Sequence, residues 1–186
     1  GLVYCWGDNS RLQIGSAGAD SKIPKAVPGV GTAVSIAVGD YHSCAQLQDG
    51  SMYCWGDNSK KQLNSSSAAQ LSPTSLFLSA SVRGYSLGSF NTCLLTSTGP
   101  SSNALNCFGD NSKKQSPGTV SGNYQLVSSG ANTVCAVNSQ DELYCFGAAD
   151  SNKINGLSVD TSTPTKIGDV PTRLVAVGGS HICRTS

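Results

Sequence analysis

The chain has 186 residues, 38% of them hydrophobic and 12% charged, so it can bury one sizeable core and is expected to form a single domain. A net charge of +1 gives no field that would collect nucleic acid or an anionic membrane surface, and both partners are disfavoured. No apolar run approaches the roughly 20 residues of a membrane helix, and the chain begins with Gly1, so we expect a soluble protein that is processed or part of something longer.

A cysteine-containing motif recurs along the chain. Residues 4–10 (Tyr-Cys-Trp-Gly-Asp-Asn-Ser) return at 53–59, at 106–112 with Asn106 and Phe108 in place of tyrosine and tryptophan, and more loosely at 144–147. A second cysteine precedes each of the last three copies. The first motif and the last cysteine stand alone at opposite ends of the chain, which indicates two halves of one interrupted unit.

The unit that begins at Val34 predicts four short strands. Residues 34–37, 43–47 and 51–55 form the first three, and a weak fourth segment at 73–77 contains a proline. A proline in a strand is tolerated mainly at a sheet edge, where its missing N–H need not pair. The fourth strand is therefore predicted to be the outer one, as are the segments with the matching prolines Pro24, Pro117 and Pro164.

Spacing also pairs the eight cysteines. The Asp49-Gly50 turn between two of them is a strong hairpin signal, and residues 99–102 supply a longer turn in the next unit. Opposed residues of antiparallel strands have Cα atoms about 4.5 to 5.5 Å apart, which suits a disulfide. Zinc is the alternative, but the Cys-x-x-Cys spacing typical of structural zinc sites does not occur. The predicted disulfides are Cys44–Cys54, Cys93–Cys107, Cys135–Cys145 and Cys5–Cys183.

Four strands in each unit of about 40 to 50 residues are typical of a propeller blade. The fold class is therefore predicted as all-β, a small propeller of four blades with one disulfide each. The predicted repeat units are 174–186 plus 1–33, 34–80, 81–125 and 126–173, so that both termini share the last blade. Closure within one chain is the simpler prediction because the tethered partner has a high effective concentration. A Cys183-to-Cys5 contact between molecules would instead build a head-to-tail fibre.

The pattern of residues 34–58, Val-x-x-Ala-x-Gly-x-x-His-x-Cys-Ala followed by Asp-Gly-x-x-Tyr-Cys-Trp-Gly-x-Asn, resembles the repeat of the regulator of chromosome condensation family. Its cysteine-bearing form is similar to the ectodomain repeats of crinkly-type receptor kinases. The resemblance implies a propeller used mostly for protein recognition, usually with seven blades. A glycine of the family repeat is replaced here by Leu12, Lys61 and Lys114. No insertion resembles the wedge with which nuclear members exchange nucleotide on a small GTPase, so that activity is not expected.

The conspicuous polar residues each have two interpretations. His42 and His181 occupy equivalent positions before a cysteine and are predicted to bond the turn that enters the inner hairpin; metal or proton chemistry is the alternative. The Asp-Asn-Ser triplets close turns through side-chain to backbone hydrogen bonds or, alternatively, bind calcium. The lysine pairs at 60–61 and 113–114 are predicted to lie in solvated loops.

Two further features concern surface chemistry. The aromatic residues that follow the motif cysteines are predicted to pack between blades, with sugar stacking as the alternative; they are Trp6, Trp55, Phe108 and Phe146. Asn64-Ser65-Ser66 is a glycosylation sequon, so Asn64 is the predicted glycan site.

Three classes of function remain. The first is a non-enzymatic extracellular module, secreted or at the cell surface, that recognises a protein or builds a filamentous assembly by self-association. The second is a lectin-like propeller that binds glycan, and the third is a secreted hydrolase, which would need convergent carboxylates or a nucleophile with a base. The sequence favours the first class and predicts no catalytic residue, metal, cofactor, nucleic-acid partner or membrane insertion.

Overall fold

A computed structural model describes residues 1–64, 69–76, 81–99 and 102–186. The described residues form sixteen strands and one short 3-10 helix, Asp150–Asn152. The strands are β1 (Tyr4–Gly7), β2 (Ser21–Ala26), β3 (Ala33–Val38), β4 (His42–Leu47), β5 (Met52–Asp57), β6 (Ala69–Ser75), β7 (Val82–Leu87), β8 (Asn91–Gly99), β9 (Ser102–Gly109), β10 (Gly118–Val120), β11 (Tyr124–Ser129), β12 (Thr133–Asn138), β13 (Leu143–Gly147), β14 (Thr161–Lys166), β15 (Leu174–Val177) and β16 (Ile182–Thr185). The predicted all-β class is confirmed.

The strands form three antiparallel sheets of four strands and two end sheets of two strands. The four-stranded sheets have the orders β3-β4-β5-β6, β7-β8-β9-β10 and β11-β12-β13-β14. The end sheets are β1-β2 and β15-β16, and no ladder joins them. The predicted closed ring of four blades is therefore not formed: the chain is an open series of sheets, because the two halves of the interrupted unit remain apart.

Prolines mark the outer strands, as predicted. Pro24, Pro73 and Pro164 lie in β2, β6 and β14, each at the edge of its sheet. Pro117 directly precedes the edge strand β10. The predicted fourth strand of the second unit extended to Phe77, which lies outside the described residues.

The core lies between successive sheets. One cluster joins Val3 and Val27 of the first end sheet region to Ala45 and Trp55 of the next sheet, and another joins β8 and β9 to Val134 and Phe146 of the third sheet. The central strands β4 and β12 are buried along most of their length, so both of their faces contribute to these clusters. Burial between neighbours is thus the interaction that orders the sheets side by side.

The inner ends of the sheets approach one another closely at a recurrent glycine. Each inner strand is followed by a tight turn in which the glycine amide donates to the carbonyl three residues later, at Gly39, Gly88, Gly130 and Gly178. A Cβ added to Gly88 would collide with the carbonyl oxygen of Gly130, and one added to Gly130 would collide with that of Gly178. The missing side chain is what lets neighbouring sheets converge on a common axis.

Candidate recognition surface

The Asp-Asn-Ser loops are turns closed by their own side chains. The carboxylate of Asp57 accepts hydrogen bonds from Ser59 Oγ at 2.7 Å and from Gln62 Nε2 at 2.8 Å. The Asn58 side-chain oxygen accepts the amide of Leu63 at 2.7 Å. The same bonds recur in the loops of Asp8 and Asp110. Because the carboxylates are occupied in this way, the geometry fits turn closure and offers no argument for calcium.

Each of these three loops contains a residue with a left-handed backbone where the family repeat has glycine. The φ angles are +65° at Leu12, +67° at Lys61 and +63° at Lys114. Residues with a Cβ reach this region only at a cost of about 1 kcal/mol or more. The replacement of the family glycine by Leu12, Lys61 and Lys114 therefore introduces backbone strain at the same position of all three loops.

The substitution Lys114→Gly is expected to raise the free energy of unfolding by about 1 kcal/mol, because glycine adopts the left-handed conformation without that strain. Urea denaturation followed by tryptophan fluorescence measures the change. Lys113→Gly is the matched control: it removes the neighbouring charge outside the left-handed position, and a gain as large as that of Lys114→Gly would contradict the explanation.

Ion pairs connect each loop to the next sheet. Arg11 lies 3.7 Å from Asp57, Lys60 lies 4.0 Å from Asp110, and the nitrogen of Lys113 lies 3.5 Å from Asp160. The basic partners are about half exposed, so each pair contributes little to stability. The first lysine of each predicted solvated pair thus has a specific acidic neighbour on the following repeat.

The two equivalent histidines have different environments. His42 is fully buried, and its Nε2 lies 2.9 Å from Thr92 Oγ1 of the neighbouring sheet, while Nδ1 has no hydrogen-bond partner. Burial lowers the pKa of His42 to about 4, and the charges of Asp57 and Asp40 offset only part of this effect. His42 therefore links two sheets as a neutral side chain, and its imidazole makes no hydrogen bond to the turn that it was predicted to bond. His181 is exposed.

The cysteines fall into two groups. Three disulfides join directly opposed residues of one hairpin with Cα–Cα distances of 4.1 Å: Cys44–Cys54, Cys93–Cys107 and Cys135–Cys145. Cys5 and Cys183 are free thiols on separate sheets, so the predicted Cys5–Cys183 disulfide is not formed within the chain; a bond between molecules stays a prediction. Burial raises the pKa of Cys5, whereas Cys183 is exposed.

Asn64 is exposed, and its amide donates to the carbonyl of Lys61 at 3.0 Å. Ser65 and Ser66 of the sequon lie outside the described residues. Glycosylation at Asn64 therefore stays a prediction.

A central cavity of about 450 Å³ opens where the inner turns converge. Its lining, taken over the described residues, is mainly glycine backbone and small side chains, and Asp40 is the one ionisable residue among them. Ser89 and Ser129 also line the cavity, but no hydrogen bond of the described residues joins either hydroxyl to Asp40, so the lining gives no argument for an acid–base site. Among the described residues, no group of three or more His, Cys, Asp or Glu side chains could hold a metal ion.

The apolar end surface, defined as Tyr4, Trp6, Ile36 and Val38, is a second concave region. Its four side chains are exposed on β1 and β3 and line a cavity of about 420 Å³ together with Gln13, Asp40 and Ser43. Aromatic and aliphatic side chains gathered in one concave patch are typical of protein interaction sites. This surface is the best candidate for recognition on the described part of the chain.

Sequence reasoning placed Trp6 inside the molecule. Its repeat equivalents Trp55 and Phe146 are 1% exposed, and Phe108 is half-buried against a core cluster, as predicted. Trp6 is 60% exposed because no sheet formed by the described residues lies on that side of β1-β2. The exposure of Trp6 could have been predicted from the sequence, because its motif lacks the preceding cysteine that the other three copies have.

Two regions match the family model of the regulator of chromosome condensation (RCC1) repeat, residues 1–46 and 33–62. No curated protein sequence matches the chain at a significant level. Among the described residues, no helix is long and apolar enough to cross a membrane.

Solved structures share the fold. Yeast RCC1 (Prp20), in a structure in which it binds Kap60, has a TM-score of 0.85 at 20% identity, over 97% of this chain and 48% of that chain. Prp20p from Saccharomyces cerevisiae, in a structure reported with its binding properties to Gsp1p and histones, has a TM-score of 0.82 at 20% identity, over 96% and 50%. The CRINKLY WD40 ectodomain of the Arabidopsis thaliana receptor kinase ACR4 has a TM-score of 0.60 at 20% identity, over 97% and 56%. The chain spans about half the length of these structures, and the predicted family resemblance is confirmed.

Proposed function

We propose that this chain, which is built of RCC1-like repeats, is a non-enzymatic extracellular module that works through protein–protein contacts. The observation that carries the proposal is the apolar end surface, where Trp6 is 60% and Val38 is 68% exposed. Leaving such side chains in water is unfavourable, and a protein partner would cover them.

The three hairpin disulfides support the extracellular location. Such bonds form and persist in oxidising compartments and are rare in the cytosol and nucleus. Yeast RCC1 is a similar fold, but disulfide-stapled hairpins favour the setting of the receptor ectodomain. Peptide mapping of the secreted chain is expected to recover all three bridges, and their recovery as free thiols would contradict this location.

Composition and site chemistry support a binding role over catalysis or nucleic-acid recognition. The net charge is +1, and the basic side chains Arg11, Lys60 and Lys113 are paired with aspartates of the next repeat. The buried Trp55 and Phe146 also leave no repeated aromatic platform for sugar stacking. A protein partner therefore fits the described surface better than a glycan or a nucleic acid.

A photo-reactive benzoylphenylalanine placed at Val38 tests the proposal. Irradiated in the extracellular fraction of the organism that makes the chain, the Val38 variant is expected to give a covalent adduct of defined mass. Val159 is the matched control position, since it is 69% exposed but lies in the loop before β14, and it is expected to give none. Absence of any protein adduct at Val38, or equal adducts at both positions, would contradict the proposed function.

A further inference from the structure

A polar pocket of about 350 Å³ lies beside the third four-stranded sheet, at the ends of its strands that point away from the inner turns. Its lining includes Gly122, Asn123, Tyr124, Asn138, Tyr144 and Pro164. Among the described residues, none that lines the pocket carries a charge. The sheets β7-β8-β9-β10 and β11-β12-β13-β14 both have all four strands, so the pocket is not the uncovered side of an incomplete sheet.

Tyr124 is the residue in this pocket that points to a ligand. It is 5% exposed and belongs to a core cluster, yet no hydrogen bond of the described residues engages its hydroxyl. The equivalent first residues of β3 and β7 are Ala33 and Val82, each followed by the same shift in register. Aliphatic side chains therefore satisfy the packing of this position. The phenol adds a polar group whose burial is unfavourable unless another group bonds to it.

Gly122 keeps the Tyr124 hydroxyl accessible from the pocket. A Cβ added to Gly122 would lie 2.5 Å from Cε2 and 3.1 Å from the hydroxyl oxygen of Tyr124, so any other residue would cover this end of the ring. The segment is anchored on both sides: the Ser139 amide donates to the Asn123 carbonyl at 2.9 Å, and the Asn103 amide donates to the Asn123 side-chain oxygen at 3.3 Å. The pocket is therefore preformed, which lowers the entropic cost of binding.

The unpaired side-chain groups of the pocket are mainly hydrogen-bond donors. Because the side-chain oxygen of Asn123 is already engaged, its Nδ2 is the group left without a partner among the described residues. The Asn138 oxygen accepts the amides of Gln140 and Glu142 at 2.9 and 3.0 Å. Its Nδ2 uses one of two N–H groups on the Glu142 carboxylate. Together with the Tyr124 hydroxyl, these groups present donors to one cavity.

Tyr144 and Pro164 form the apolar wall of the pocket. The half-buried Tyr144 ring meets the Tyr124 ring edge-on, with centroids 6.4 Å apart. Its hydroxyl donates to Glu142 at 3.1 Å, and Glu142 is held in turn by Lys166 at 2.9 Å. The ion pair thus lies behind the lining and fixes the orientation of the ring, so the wall is a rigid aromatic corner beside a proline.

We propose that this pocket binds a proline-rich segment of a partner protein in the polyproline II conformation. Such a segment presents carbonyl acceptors that are not bonded within the chain, and its prolines have no N–H. It therefore matches a pocket whose unpaired groups are mainly donors, while its rings pack on the aromatic corner. A sugar is the other candidate, but sugar hydroxyls need acceptors as well as donors, and the asparagine oxygens of the pocket are engaged. The site is separate from the apolar end surface and goes beyond the proposed function.

Titration of the full chain with an octaproline peptide, capped at both ends, tests the proposal. With ¹³C at the Cζ atom of tyrosine, the NMR signals of Tyr124 and Tyr144 are expected to shift as peptide is added. The signals of Tyr4, on the apolar end surface, and of Tyr85, whose hydroxyl lies 2.9 Å from Ser35 Oγ, are expected to stay in place. A shift at Tyr4 in place of Tyr124, or no shift at any tyrosine, would overturn the proposal.

Two variants test the roles of the hydroxyl and of the access to it. Tyr124→Phe removes only the hydroxyl and is expected to weaken octaproline binding about 10-fold, the effect of one lost hydrogen bond. Gly122→Ala places a methyl group over the hydroxyl and is expected to abolish binding. Tyr85→Phe is the matched control: it removes a hydroxyl outside the pocket and is expected to leave the affinity unchanged. Unchanged affinity in Tyr124→Phe, or equal losses in Tyr124→Phe and Tyr85→Phe, would overturn the proposal.

Methyl glucopyranoside and methyl mannopyranoside, titrated in the same way, distinguish the two kinds of ligand. Neither is expected to shift the Tyr124 signal. A shift with either pyranoside and none with octaproline would overturn the peptide and assign the pocket to a sugar.

The outcomes are independent of those for the proposed function. Tyr124→Phe is expected to leave the photo-adduct at Val38 unchanged. If octaproline does not bind while the Val38 adduct forms, the polyproline site is overturned and the recognition role stands. If octaproline binds but the adduct does not form, the proposed function is overturned and the polyproline site stands.

Discussion

Replacement of Trp55 by alanine is expected to lower the free energy of unfolding by about 3 to 5 kcal/mol, the usual cost of truncating a buried large aromatic residue. The indole is 1% exposed and packs with Val27 of the preceding end-sheet region. Its Nε1 also donates to the Gln13 carbonyl at 3.0 Å. The substitution therefore leaves a cavity between two sheets and removes one of the two side-chain hydrogen bonds that the Gln13 carbonyl accepts, the other being donated by Ser43 Oγ at 2.9 Å. Urea denaturation monitored by circular dichroism measures the loss.

Trp6 is the matched control, since it has the same repeat position but is 60% exposed. Trp6→Ala is expected to change the free energy of unfolding by less than about 0.5 kcal/mol. Equal losses for the two variants would mean that Trp6 is buried in the folded chain, which would contradict its exposed position.

Acidification is expected to destabilise the protein through His42. The unfolded chain protonates this residue near its ordinary pKa of 6.5, whereas burial lowers the pKa in the folded state to about 4. Between these values the unfolded state binds more protons, so the contribution is complete above pH 6.5 and is lost as the pH falls toward 4. The loss in the free energy of unfolding across this pH window is on the order of 3 kcal/mol.

The substitution His42→Asn checks this assignment, since Asn91 occupies the equivalent position of the next unit. The variant is expected to lose the decline in stability over this pH window, measured as urea midpoints at several pH values. His181→Asn removes the exposed histidine at the same repeat position and is expected to keep the wild-type profile. A decline that persists in His42→Asn would assign it to carboxylates elsewhere.

Local pattern was sufficient to predict the hairpins. The Asp49-Gly50 turn and the cysteine spacing place Cys44 opposite Cys54, as the ladder of β4 and β5 does. The outer strands could be predicted from their prolines, because proline lacks the backbone N–H that an inner strand needs for pairing. The hairpin register and the position of the outer strand both depend on residues within the same repeat, so the local sequence is enough to predict them.

The ends of the chain and the environment of His42 depend on longer-range geometry. Whether Cys5 can reach Cys183 depends on the angle between successive sheets. That angle results from many packing interactions between sheets, which a sequence motif does not reveal. Likewise, the contact of His42 with Thr92 crosses from one sheet to the next, and periodicity indicates only that the position recurs. The apolar end surface is a consequence of the same geometry.

The hairpin disulfides have a consequence for how such a protein can change over evolution. Each closes a loop with a sequence separation of only 10 or 14 residues and lies inside one sheet, so none ties one repeat to another. Duplication or deletion of a whole repeat would add or remove both cysteines of a disulfide together and would leave no cysteine of that disulfide without its partner. The number of repeats can therefore drift while the covalent chemistry of every remaining repeat is preserved.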